Sequence, residues 1–103
     1  MNKAKFAYSF TDDNILVMID SYSALNPSMS LTNGMEQALT DVVCYNNYDP
    51  SFLNNPVVYC DTDGNWDLVV DIEYNTKTHR VERVAFQHGG LTKDDALAKA
   101  RRL

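Results

Sequence analysis

Apolar and polar residues alternate in the first part of the chain, which predicts two half-buried strands. Within residues 4–10, Phe6, Tyr8 and Phe10 fall on one side, the period-two pattern of a strand with one buried face. Residues 15–22 have apolar side chains on both faces near their start, which indicates cover on both sides. Because only the polar residues 11–14 separate the two runs, we predict that they pair as a hairpin.

The pattern becomes helical after a Ser/Asn/Pro-rich loop at 21–30. Apolar residues then recur at three- and four-residue spacing, so we predict a helix over 34–46 that packs on the sheet. Thr32 or Asn33 is the predicted cap, and Glu36 follows Asn33 by three residues, as in a capping box. Residues 46–56 form a second predicted loop, in which Tyr48, Phe52 and Leu53 are apolar enough to lie against the body of the protein or to form a contact surface.

Three further strands are predicted at 57–60, 67–74 and 80–86, joined by short turns into an antiparallel meander. We expect a bulge near 83–85, where the alternation breaks. A flexible joint at 87–90 then leads to a final helix, with Thr92 as its cap. The order ββαβββα predicts the α+β class, with an antiparallel sheet of about five strands packed by two helices in a single domain over 1–103.

The distribution of charge along the chain is more informative about function than the net charge. The net charge is −5, yet residues 6–76 contain no Lys or Arg and carry eleven carboxylates. A span of that length ordinarily carries about nine basic residues. The sequence therefore predicts an acidic middle region that either confers solubility or docks on a basic surface of another macromolecule.

We predict that the acidic and aromatic side chains of this region bind a partner: Asp12, Asp13, Tyr48, Asp49, Phe52, Asp61, Asp63 and Asp67. The protein is then a small binding module without catalytic activity or cofactor. We expect it to act as a regulator or inhibitor, of the kind that phages and mobile elements encode. Its target is expected to be a protein with a basic surface. The acidic balance disfavours direct nucleic-acid binding, although cations gather near the last helix.

Two alternatives stay open at this point. The first is an enzyme or a ligand-binding or metal-binding domain with a site near Cys60, Asp61, Asp63 and His88, because thiol, imidazole and carboxylate groups serve nucleophilic sites. No zinc-ligand spacing supports it, and the glycine of 61–67 is misplaced for a calcium loop, so a hairpin turn with positive φ is expected there. The second alternative is a homo-oligomer that joins its acidic sheet to a neighbour's basic end.

The remaining features are those of an ordinary intracellular domain. No apolar run is long enough to span a membrane, and the first residues lack the apolar stretch of a secretion signal. We therefore expect a cytoplasmic protein without membrane contact. Cys44 and Cys60 are expected as reduced, small buried hydrophobes, and Trp66 as a core residue.

Overall fold

The computed structural model describes residues 6–20, 31–60 and 64–103. These form the strands β1 (Phe6–Phe10), β2 (Leu16–Asp20), β3 (Val57–Cys60), β4 (Trp66–Asn75) and β5 (Arg80–Leu91), and the helices α1 (Leu31–Tyr45) and α2 (Lys93–Arg102). A single 3₁₀ turn, Ser51–Asn54, precedes β3. The predicted α+β class and the order of elements along the chain are confirmed. The predicted loop at 21–30 lies outside the described residues.

The sheet is mixed, which corrects the prediction of a purely antiparallel sheet. Its strands lie in the order β1-β2-β3-β4-β5. The predicted β1–β2 hairpin is confirmed, with Tyr8 opposite Met18, but β2 and β3 run parallel, with Val17 opposite Val58. Parallel neighbours need a long crossover instead of a tight turn, and α1 lies in the connection between them. A helix in that connection is the sequence feature that favours the parallel pairing.

Each helix covers one face of the sheet. The apolar side of α1 packs on a core that includes Leu16, Met18 and Tyr59. On the opposite face, α2 packs on a smaller cluster built around Ile15, Val17, Val58, Leu68, Ala96 and Ala100, with Trp66 and Leu97 partly buried against it. Residues 15–18 are therefore buried on both faces of the sheet, as predicted.

Helix α1 begins at Leu31, three residues earlier than predicted. Thr32 and Asn33 consequently lie in its first turn, and the predicted capping box is wrong. Farther along, the hydroxyl of Thr40 accepts a hydrogen bond of 2.9 Å from the backbone N–H of Val81. This bond ties the middle of α1 to the start of β5.

The predicted flexible joint at 87–90 is wrong, because β5 continues to Leu91. Leu68 lies opposite Gln87 and Trp66 lies opposite Leu91. Between these two pairs, β5 advances by four residues and β4 by two. Such an irregularity keeps the strands paired while the chain bends. Immediately afterwards, the predicted cap of α2 is confirmed, since the hydroxyl of Thr92 accepts a 3.1 Å bond from the backbone N–H of Asp95.

A second irregularity lies where the sequence predicts a bulge, but its extra residue is on the neighbouring strand. Val70 pairs with Ala85 and Glu73 with Arg83, so β4 carries one residue more than β5 over this stretch. Within it, Asp71 adopts a φ of 53°. Aspartate is one of the few residues that tolerate this left-handed conformation, and the bulge sets its carboxylate apart from the regular alternation of β4.

Candidate functional site

The predicted partner-binding residues separate into exposed and buried groups. Asp12, Asp13, Tyr48 and Asp49 are exposed. By contrast, Phe52 and Asp67 are buried, and their burial corrects their assignment to a contact surface. Phe52 is 1% exposed and Asp67 is 7% exposed. Asp61 and Asp63 lie outside the described residues.

The burial of Phe52 and Asp67 follows from the elements that carry them. The 3₁₀ turn directs the ring of Phe52 onto Phe10, with ring centroids 5.4 Å apart in an edge-to-face arrangement. Asp67 pairs with Tyr59 across β3 and β4, and it shares the α1 side of β4 with the buried Val69. Both residues are therefore part of the interior.

The charge separation of the sequence is partly cancelled in space, because α2 returns to the β1–β2 turn. Arg101 contacts Asp13 through two bonds, Nε to Oδ2 at 2.9 Å and Nη2 to Oδ1 at 3.3 Å. The Thr11 hydroxyl also donates to Asp13, and the bond from Arg101 is the largest cause that lowers the pKa of this carboxyl to about 2. Across β4 and β5, Arg83 pairs with Glu73 at 3.4 Å.

The outer side of α1 keeps its acidic character. We define the α1 surface as the exposed or half-buried side chains on this side of the helix and the turn after it: Glu36, Asp41, Cys44, Tyr45, Tyr48 and Asp49. Residues 31–60 contain no Lys or Arg. The six side chains of the α1 surface therefore include three carboxylates and no cation, and Tyr45 and Tyr48 add two large exposed rings, 68% and 53% exposed.

The ring of Tyr48 is held in a defined position by two contacting groups, one of which is itself held by a third residue. It lies against the His79 ring with centroids 4.9 Å apart. The Sγ of Cys44 and the hydroxyl of Tyr48 are hydrogen-bonded at 3.5 Å, and this bond is the first cause of a raised pKa at Tyr48. The hydroxyl of Tyr74 is hydrogen-bonded to Nδ1 of His79 at 3.3 Å, and this bond holds the imidazole ring in place against Tyr48.

The backbone is strained at Tyr48. Its φ is 59°, next to Asn47 at 58°, and His79 in the β4–β5 turn has a φ of 58°. A bulky residue in the left-handed region costs about 1–3 kcal/mol and persists only where its surroundings hold it. Here the contacts between Tyr48 and His79 hold both residues, so the exposed ring of Tyr48 is preorganised.

Asp49 completes the α1 surface with a fixed charge. Its Oδ1 accepts the backbone N–H of Ser51 at 3.0 Å. That bond lowers the pKa of Asp49 below its usual value, because a hydrogen bond to the charged form favours it. The carboxylate is thus ionised throughout the physiological range.

Of the alternative site near Cys60, the structure describes only the side chain of Cys60. Cys60 is buried at the end of β3, whereas Cys44 is exposed, contrary to its predicted burial, and neither forms a disulfide. Asp61, Asp63 and the side chain of His88 lie outside the description. Gly64 has a φ of 84°, which confirms the predicted positive-φ turn. In the described parts of the chain, no three His, Cys, Asp or Glu side chains are placed to hold a metal ion.

A polar cleft opens on the α2 side of the sheet, where α2 ends. Its volume is about 640 Å³, and its walls include Asp13, Asn55, Val70, Asp71, Gln87 and Arg101. The cleft forms because the ten-residue α2 packs on β3 and β4. Beyond its end, the β1–β2 turn, the β4 bulge and β5 enclose an open space.

Sequence reasoning missed part of the α1 surface and the cleft. Asp41 and Tyr45 lie four residues apart on the polar side of the predicted helix, so helical periodicity could have placed them together near the end that Tyr48 follows. Glu36 lies on the outer half of the same helix, more than one turn nearer its start. The cleft forms where Asp71 and Arg101 line one space. These residues are far apart in the chain, so no local sequence pattern indicates that they line the same cleft.

These features define an α+β protein with a mixed sheet, one helix on each face, an anionic aromatic surface on α1 and a polar cleft beside α2. No protein family, curated protein or solved structure matches this chain. Within the described residues, neither helix is both long and apolar enough to cross a membrane.

Proposed function

We propose that this protein is a non-catalytic binding module that docks through the α1 surface on a basic surface of another protein. The observation that carries the proposal is the preorganised, exposed ring of Tyr48 beside the ionised Asp49, on a stretch of chain without cations. Docking there covers the partner's basic surface, and the protein thereby acts as a regulator or inhibitor.

The α1 surface has the composition of a binding hot spot. Tyrosine is enriched among residues that dominate binding energy, because it adds a large contact area with few rotatable bonds. The contacts with His79 and Cys44 restrict the Tyr48 ring before binding, which lowers the entropy lost on association.

Charge supplies the direction of the encounter. Glu36, Asp41 and Asp49 place three carboxylates on α1 and the turn after it, and complementary potentials raise association rates and select against acidic partners. The carboxylates of Asp13 and Glu73 lie elsewhere in the fold and contact arginines of this chain. The α1 surface combines exposed rings with carboxylates, and this combination supports docking on a basic protein.

The test is affinity capture of partners from the native cell, with elution over a salt gradient and mass spectrometry. The wild-type chain is compared with Tyr48→Ala and with Tyr8→Ala. Tyr8 is a matched control because it is also exposed, at 38%, but lies on β1. We expect one stoichiometric partner with a basic surface, retained by wild type and Tyr8→Ala and lost by Tyr48→Ala.

Elution at moderate salt is expected, because screening weakens attraction between exposed charges. Retention of the same partner by a folded Tyr48→Ala variant overturns the α1 surface as the interface. Capture of no stoichiometric partner by the wild-type chain overturns the proposed function as a whole.

A further inference from the structure

The cleft beside α2 has an excess of negative charge. Its walls contain two carboxylates, Asp13 and Asp71, and one guanidinium, Arg101. A volume of about 640 Å³ falls within the range of small-ligand sites, about 300–1,000 Å³. These features favour a cationic ligand.

Asp71 is presented to the cleft by the β4 bulge, where it has a φ of 53°. Bulges are over-represented beside binding sites, because they redirect a side chain. Its carboxylate makes no hydrogen bond or ion pair with the described part of the chain. Asp71 therefore offers a cationic ligand an available carboxylate.

Asp13 shows which cation the cleft suits. Its two carboxylate oxygens accept from Nε and Nη2 of Arg101 at 2.9 and 3.3 Å. This fork geometry is specific to a guanidinium, since an ammonium cannot make two parallel bonds in one plane. The pair is about half exposed at both side chains, so a second guanidinium can compete with Arg101 at little cost.

Amide groups in the walls provide further acceptors. The Nδ2 of Asn55 donates to the backbone oxygen of Asn14 at 3.2 Å, which leaves Oδ1 of Asn55 as an acceptor. Gln87 contributes a second amide from β5. A guanidinium has five donors, and two carboxylates with two amide oxygens can receive them.

We propose that this cleft binds a guanidinium group of an arginine residue or a small arginine-like ligand through Asp71 and Asp13, and that Arg101 is a built-in competitor that the ligand displaces from Asp13. The site lies on the face of the sheet opposite the α1 surface. It is therefore independent of the proposed docking function, and either can fail without the other.

The probe is N-acetyl-L-arginine amide, titrated into the ¹⁵N-labelled chain and followed by amide chemical shifts. N-acetyl-L-citrulline amide, which has nearly the same shape without the charge, is the ligand control. We expect a dissociation constant in the millimolar range, as suits a few exposed polar contacts. The shifts should centre on Val70, Asp71, Gln87 and the last turn of α2, and citrulline should leave them unchanged.

Three variants separate the site from the competition. Asp71→Asn keeps a side chain that tolerates positive φ and should weaken binding at least severalfold. Arg101→Gln should tighten binding about two- to fivefold, the range set by losing an exposed ion pair. Arg102→Gln removes the same charge from the adjacent position and should change affinity less.

The outcomes decide both parts of the proposal. Equal shifts with citrulline, no shifts with the arginine amide, or full affinity in folded Asp71→Asn overturn the guanidinium site. Equal affinities in Arg101→Gln and Arg102→Gln overturn the competition by Arg101. None of these results depends on a partner of the α1 surface, so they leave that proposal unaffected.

Discussion

The two helices are attached to the sheet in different ways. Helix α1 packs through large apolar side chains, among them Met35, Leu39 and Val42, which are fully buried. Helix α2 packs through the small Ala96 and Ala100 and is also joined to the sheet end by its charged last turn. Apolar packing leaves the outer side of α1 available to a partner, whereas α2 uses one of its cations within the molecule.

The largest expected effect is on the α1 side of this comparison. Leu39→Ala removes a fully buried side chain and leaves a cavity, so we expect the free energy of unfolding to fall by about 3 kcal/mol. Urea denaturation followed by circular dichroism measures it. Thr32→Ala, on the exposed side of the same helix, should change stability by less than about 0.5 kcal/mol. Similar losses in both variants would contradict attachment by apolar packing.

In α2, enlarging a buried side chain should destabilise the protein, whereas in α1 the loss comes from shortening one. Ala96 is fully buried against the sheet, so Ala96→Leu forces the helix away and should destabilise the protein by about 2 kcal/mol. Ala98→Leu lies on the exposed side of α2 and is the control, with little change expected. Thermal unfolding compares the two, and equal melting temperatures would refute close packing through alanine.

The start of α2 depends on its cap. Thr92→Ala removes the bond from the Asp95 N–H and should lower the free energy of unfolding by about 1 kcal/mol. Thr92→Ser retains a hydroxyl and should recover most of the loss. Hydrogen exchange of the first-turn amides locates the effect, and unchanged exchange in Thr92→Ala would show that the cap contributes nothing.

The smallest effect concerns the end of α2 and depends on pH. Because Asp13 has a pKa of about 2 in the folded protein against 3.8 ordinarily, its ion pair stabilises the fold above about pH 4. This contribution disappears as the pH falls through about 2. Wild type should therefore lose stability relative to Asp13→Asn between pH 4 and 2. A constant difference between the two melting curves over this range would contradict the depressed pKa.

Local patterns account for the elements that were predicted well. The alternation at Phe6, Tyr8 and Phe10 predicts β1, and the helical spacing of apolar residues predicts α1, because both patterns report which side of an element is buried. The cap at Thr92 is equally local, since its bond reaches only three residues along the chain. Such features depend on residues close in the chain, so the sequence alone predicts them.

Features that depend on distant neighbours were not predicted. Residues 87–90 contain two glycines and read as a joint, yet pairing with β4 makes them part of a strand. Phe52 reads as part of a contact surface, but Phe10 lies where it receives the ring. In each case a contact from another part of the chain determines the outcome.

The sequence by itself determined the kinds and order of the elements and the concentration of carboxylates in residues 6–76. Only the tertiary structure decided the parallel pairing of β2 and β3, and which carboxylates remain available to a partner. Asp13 and Arg101 are separated by 88 residues in the chain and 2.9 Å in space. Periodicity and capping act over one or two turns, whereas charge pairing acts through space, so folding can neutralise a charge pattern that the sequence displays openly.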